Sequence, residues 1–205
     1  MRTAALELLV KFGGSLQKRD DLHRICRDLD AACEGVGVLV TPGGGDFADT
    51  VRKCDSRFGL SPHAAHWMSV LAMEQMGLLI ASIMPRGGAV RSLPEAEAVS
   101  SAGGLPVLLP GEMLLETGDL PETWEVTSDT IACRIAREYG IPSLVLLKDA
   151  LPPGGLSVRE LSVRGWLDPR FPAEFERFRG EGWIGNGVFP ERALAGSGRA
   201  VLVRP

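Results

Sequence analysis

Nowhere does this 205-residue chain stay apolar for the roughly 20 residues that a bilayer-spanning helix needs; the longest candidate, "MGLLIASIM", is too short. A membrane partner is therefore not expected. The start of the chain has no signal-peptide pattern, because Glu7 interrupts the first apolar run and Lys11 ends it. Basic charge is not in excess either. The net charge is −4 and the pI about 5.5, so bulk electrostatics offer nothing to attract nucleic acid or an anionic surface. Cysteine is sparse. Cys26, Cys33, Cys54 and Cys133 form no C-x-x-C pair and read as reduced thiols of a cytoplasmic protein. No repeat, linker or low-complexity tract divides the sequence, so a single domain over 1–205 is expected.

What is present is an alternation of strands and helices. "LELLVKF", "VGVLVTP", "LPVLLP", "SLVLLK" and "RAVLVR" are short apolar runs of strand type. Between them, Leu22, Ile25, Cys26, Leu29 and Cys33 recur at helical spacing, and a helix is expected from Asp46 to about Phe58. A long apolar helix follows Ser61 as its cap, with Pro62 in the first turn. "TSDTIACRIAREYG" reads as a helix ended by Gly140, and 169–180 as a helix interrupted by Pro172. Stretch 152–155 reads as a loop and "NGVF" as a turn. Continuous apolar strands alternating with helices predict an α/β fold whose parallel sheet is covered on both faces.

Unusual residues gather at the ends of these strands. "KFGGS" follows the first, "TPGGGDFAD" the second, and "LLKDA" closes a later one. Ligands of open α/β sheets bind outside the carboxyl ends of the strands. Lys11, Gly13, Gly14, Gly43, Gly44, Gly45 and Lys148 are thus expected around one crevice. Glycines let backbone N–H groups approach phosphate oxygens, and a helix beginning after Gly45 aims its positive end there. Two lysines supply the charge that a transferring phosphoryl group needs. "WEVTSDTIA" adds Asp129 in the first turn of a helix. Thr127, Ser128 and Asp129 all suit a helix cap. Beside an anionic ligand, however, a further carboxylate needs another duty, and holding both lysines in place is such a duty.

In this order, "KFGGS", "PGGGDFAD", "TSDTIA" and "LLKDA" resemble the amino-acid-kinase superfamily over roughly residues 6–150. "GGGDFADTVR", "HAAHWMSVLAMEQMG" and "WEVTSDTIA" are more narrowly similar to its branch in methanofuran biosynthesis, whose members phosphorylate an aminomethyl-furanmethanol phosphate to the diphosphate. The resemblance implies an open three-layer αβα sandwich of about eight mainly parallel strands. It implies an acceptor-side half at about 1–125 and a nucleotide-side half at about 126–205. MgATP is the implied donor, a phosphorylated small molecule the implied acceptor, and a homo-oligomer, dimer or higher, the implied assembly. Residue by residue, Lys11 would stabilise the γ-phosphoryl group, with Gly13, Gly14 and Ser15 beside the phosphates. Gly43, Gly44, Gly45, Asp46, Thr127 and Ser128 would form the acceptor side. Asp129 would organise the lysines, and Lys148 with Asp149 would meet the nucleotide. No metal-binding side chains are implied.

Two departures qualify the resemblance. Many relatives continue the lysine–aspartate pair as a "DGLY"-type turn, whereas this chain reads "KDALPPGGLSV" with 57 residues after Lys148, so a small adenine pocket is expected. Isopentenyl phosphate kinases carry a histidine just after the glycine-rich loop. Here Phe47, Ala48 and Asp49 stand in its place, which excludes that acceptor.

Other residues have two readings. Arg52 lies nearly two turns after Gly45 and either grips an acceptor phosphate or faces solvent beside Lys53. The tryptophans read as packing residues, with Trp124 also suited to wall an acceptor pocket. His63 and His66 share a helix face without a third metal ligand in evidence. Met68, Ala72 and Met76 read as core or as a dimer seam. A non-catalytic nucleotide- or oxyanion-binding protein of the same fold, and a kinase of a carboxylate or carbamate, are the competing readings. A pure binder has no need of Lys11, Asp129 and Lys148 together.

Overall fold

Leu8–Phe12 (β1) alternates its side chains between two apolar layers, and this alternation positions the site. The computed structural model describes residues 6–117 and 120–186 and the backbone of 201–203. Leu8, Val10 and Phe12 join the layer that contains Ile25, Cys26 and Leu29 of α1 (Leu22–Ala32). Leu9 turns to the opposite layer, among Ile131, Cys133 and Ile135 of α6 (Ser128–Glu138). Lys11, two residues after Leu9, is carried to the α6 side.

The remaining strands are β2 (Val38–Pro42), β3 (Gly87–Val90), β4 (Leu105–Leu108), β5 (Ser143–Leu147), β6 (Glu181–Gly185) and β7 (Val201–Val203). Their order is β3-β4-β2-β1-β5-β6-β7. The strands from β3 to β6 pair in parallel, and β7 closes the edge antiparallel to β6. The described residues thus form a seven-stranded sheet where about eight strands were expected. β1 pairs with β2 on one side and β5 on the other, so the chain reverses its direction of winding at β1. In such sheets that switch point opens a crevice at the carboxyl ends of the strands.

The helices follow their caps. α2 (Gly45–Phe58) ends on Gly59, whose φ of +64° only glycine adopts without strain. In α3 (Pro62–Ile83) the Ser61 hydroxyl accepts from the Ala64 N–H at 3.2 Å, as its sequence indicates. Among the described residues the further α-helices are α4 (Leu93–Ser101), α5 (Gly111–Thr117), α7 (Val158–Val163) and α8 (Phe171–Arg177). Pro172 starts α8 rather than interrupting it. In the first turn a proline forfeits only an N–H that has no helical partner. The "NGVF" turn lies outside the described residues beyond Asn186. All four cysteines are free thiols, and burial pushes Cys26 and Cys33 up to about 12.

Candidate active site

Three charges meet where β1, β5 and α6 converge. Lys11 and Asp129 are 5% and 4% exposed. Lys11 Nζ lies 2.9 Å from Asp129 Oδ1, and Lys148 Nζ donates to Asp129 Oδ2 at 2.7 Å. One carboxylate therefore spans two ammonium groups, each oxygen taking one. Burial pushes Asp129 upward, but the charges of Lys11 and Lys148 outweigh it and hold the carboxyl well below the usual range. Burial also lowers Lys11, with Lys148 acting in the same sense and Asp129 against it. Asp129 holds Lys11 as a charge fixed in a water-poor place. Such a charge acts on a developing anion far more strongly than it would in bulk water.

The glycine loops bring two walls together. A Cβ on Gly14 would stand 2.3 Å from the Gly45 nitrogen, and one on Gly43 2.6 Å from the Gly14 nitrogen. A Cβ on Gly13 would stand 2.3 Å from the Leu147 carbonyl oxygen. The loops after β1, β2 and β5 thus lie backbone against backbone, which explains these glycines before any ligand is considered. Gln17 Oε1 accepts the Asp46 N–H at 2.8 Å and ties the two loops. First-turn N–H groups of α2 have no partner within their own helix, and Gln17 satisfies that of Asp46.

Two cavities adjoin here. A smaller one, about 350 Å³, is lined by Lys11, Gly13, Gly14, Ser15, Thr127, Asp129, Lys148, Asp149, Gly165 and Trp166. A larger one, about 480 Å³, is lined by Gly14, Ser15, Gly44, Gly45, Arg52, Thr127 and Ser128, together with Lys18, Asp49, Asp55, His66, Glu122 and Trp124. Gly14, Ser15 and Thr127 belong to both. Gly43 and Asp46 line neither: Gly43 abuts Gly14, and the Asp46 carboxylate pairs with Lys18 at 3.1 Å.

The larger cavity has an uneven charge. Near the glycines, Lys18 pairs with Asp46 and Asp49, and Arg52 with Asp49 at 2.9 Å. The Arg52 guanidinium also lies 5.0 Å from the centre of the Trp124 ring. Farther along, Asp55 accepts from the Trp124 indole N–H at 2.7 Å and the Leu60 N–H at 3.0 Å, both neutral donors. Glu122 meets His63 Nδ1 at 2.9 Å and the Trp67 indole at 3.2 Å. Burial pushes His66 downward, so this wall tends toward negative charge. Lys18, Asp49, Asp55 and Glu122 escaped the sequence reading because they sit on ordinary solvated helix and loop patterns.

A buried lysine and a half-buried one, bridged by a carboxylate between two joined cavities at a parallel-sheet switch point, define a phosphotransferase. The chain belongs to the Amino acid kinase family, which it matches over residues 7–150. It is similar to the [5-(aminomethyl)furan-3-yl]methyl phosphate kinase of Methanocaldococcus jannaschii, at 25% identity over 201 residues covering 91% of this chain and 90% of that one. Its fold is that of solved UMP kinases. The Bacillus anthracis enzyme superimposes with a TM-score of 0.69 at 14% identity, covering 96% of this chain and 98% of that one. The Ureaplasma parvum enzyme gives 0.68 at 13%, covering 97% and 98%. The uridylate kinase of Archaeoglobus fulgidus gives 0.62 at 16%, covering 87% and 89%.

Proposed function

We propose that this protein is an ATP-dependent kinase whose acceptor is a phosphate monoester bearing an amine, of the [5-(aminomethyl)furan-3-yl]methyl phosphate type, in methanofuran-type cofactor biosynthesis. The observation that carries the reading is the pair of cavities sharing Gly14, Ser15 and Thr127, with Lys11 and Asp129 on the wall of the smaller one. ATP phosphates occupy the smaller cavity and the acceptor the larger. An acceptor phosphate oxygen attacks the γ-phosphorus in line. The bond to the β,γ-bridging oxygen breaks, and ADP leaves with that electron pair. A phosphate monoester is largely a dianion at neutral pH, so the attack needs no general base. Lys11 neutralises charge on the moving phosphoryl group, Lys148 meets the nucleotide phosphates, and Asp129 keeps the two lysines at fixed positions.

Magnesium enters with the nucleotide. Among the described residues no group of three or more His, Cys, Asp or Glu side chains is arranged to hold a metal. Such an ion is held mainly by phosphate oxygens and water, and the Asp149 carboxylate stands on the same wall. The uneven charge of the larger cavity suits the acceptor: the phosphate lies near Lys18 and Arg52, the ammonium near Asp55 and Glu122, and the apolar ring between. We read the chain as one domain with acceptor-side and nucleotide-side halves, working in the cytoplasm. No described helix is long and apolar enough to cross a membrane.

An acceptor panel tests this reading. ADP release is measured with the aminomethylfuranyl phosphate, its dephosphorylated alcohol, uridylate, glutamate and carbamate. The furanyl phosphate is expected to give the highest kcat/KM. Equal turnover of the alcohol, or preference for uridylate or a carboxylate, contradicts it.

A further inference from the structure

Asp168 lies in the turn between α7 and α8, beyond the part of the chain that matches the family, and is 7% exposed. Its carboxylate accepts from five donors. Oδ2 takes the Thr127 N–H at 3.2 Å, the Thr127 hydroxyl at 2.9 Å and the Thr130 N–H at 2.9 Å. Oδ1 takes the Phe171 N–H at 2.9 Å and the Thr130 hydroxyl. Four of the five come from the two residues that bracket Ser128–Asp129. Thr127 occupies the N-cap position of α6 yet makes no capping bond with its own side chain; Asp168 caps that helix from 38 residues away.

We propose that Asp168 is a positioning residue of the phosphoryl-transfer site: through Thr127 and Thr130 it fixes the first turn of α6, and with it the Asp129 bridge between Lys11 and Lys148. The inference rests on the transfer reading for its kinetic arm only. All five donors to Asp168 are neutral; burial and the nearby Asp129 charge push its carboxyl upward, while the bonds from Thr130 and Thr127 hold it down. The charged groups facing Lys11 are Asp129 from α6, Lys148 after β5, and Asp168. Asp168 and Asp129 favour the Lys11 ammonium, whereas burial and Lys148 oppose it. A cap whose charge did not reach Lys11 would leave the Lys11 titration unmoved.

The test compares the parent with Asp168→Asn. The chain has four lysines, Lys11, Lys18, Lys53 and Lys148, so 13Cε-lysine labelling gives few signals, and Lys11→Arg assigns that of Lys11. In Asp168→Asn the Lys11 signal is expected to titrate at lower pH than in the parent, in the absence of any substrate. The kcat is expected to fall by about tenfold or more, with both KM values within about threefold and the alkaline limb of the kcat profile moved to lower pH. A folded Asp168→Asn protein with an unmoved Lys11 titration, or with kcat within about twofold of the parent, overturns the proposal. Should that variant not fold, Thr130→Val and Thr130→Ser decide. Loss of kcat in the first and recovery in the second supports the role, and parent-like kcat in both overturns it. If the parent transfers no phosphoryl group, the functional reading fails, while the Lys11 titration still decides the role of Asp168.

Discussion

Asp129 is a counter-ion before it is anything else. The sequence allowed a helix-capping role, which an amide would preserve. The structure gives the cap of α6 to Asp168 and leaves Asp129 between two ammonium groups. Asp129→Asn therefore strands two cations, one of them deeply buried. Removing one partner of a buried pair costs about 3–5 kcal/mol, so a clear fall in urea-denaturation stability is expected. The pH dependence has a definite sign. A carboxyl held below its ordinary value of 3.8 contributes stability that is fully present above that pH and is lost as pH falls below it. Below about pH 4 the parent should therefore lose stability with falling pH more steeply than Asp129→Asn. Parallel acid profiles for the two proteins would mean that Asp129 is not held in this way.

At the scale of elements, two contacts decide whether the cavities stay joined. The first is the touch between the β1 and β2 loops at Gly14, where an added Cβ meets the Gly45 backbone at 2.3 Å. Gly14→Ala is expected to lower the melting temperature and to raise the KM of both substrates, because the residue belongs to both walls. An effect on only one KM would place the loop in a single subsite. The second is the α2 face that carries Arg52. Its guanidinium already holds Asp49 and stacks on Trp124, so gripping a phosphate requires exchanging Asp49 for the ligand. Arg52→Met should raise the acceptor KM by about tenfold or more and leave that of ATP nearly unchanged. An unchanged acceptor KM would assign the phosphate to Lys18 instead.

Across the whole molecule, α3 is apolar on nearly every side. Its Met76 and Ala72 are buried in the core, while Met68, Leu71 and Leu78 remain exposed at spacings of three and seven on one face. We expect copies of the chain to associate there as a dimer or higher oligomer, and light scattering coupled to size exclusion should give at least twice the monomer mass. A monomer at micromolar concentration would contradict this.

The site's charged trio was legible because each member marks the end of a strand or the start of a helix, where chain direction and local pattern agree. Asp168 was not legible, since nothing local in "WLDPRF" announces a contact with a helix start 38 residues earlier. The glycine clusters were legible as positions, yet half of their cause, loop against loop, needed coordinates. β3 is "GGAV" and β6 is "EGWIG", too short and glycine-rich to carry an alternation. Both become strands because neighbours pair with them, which is tertiary information.

On this reading the γ-phosphoryl group passes directly from ATP to an acceptor phosphate between two joined cavities, its charge neutralised by Lys11, which Asp129 holds in place. The most direct test is 31P NMR of the parent and of Lys11→Ala, each folded by circular dichroism, with MgATP and [5-(aminomethyl)furan-3-yl]methyl phosphate. The parent should form one diphosphate ester per ADP, and Lys11→Ala should form it about 100-fold or more slowly, as the loss of a charge aimed at the transition state requires. A parent that forms no phosphorus–oxygen–phosphorus product, or a Lys11→Ala protein that forms it at the parental rate, would contradict the account.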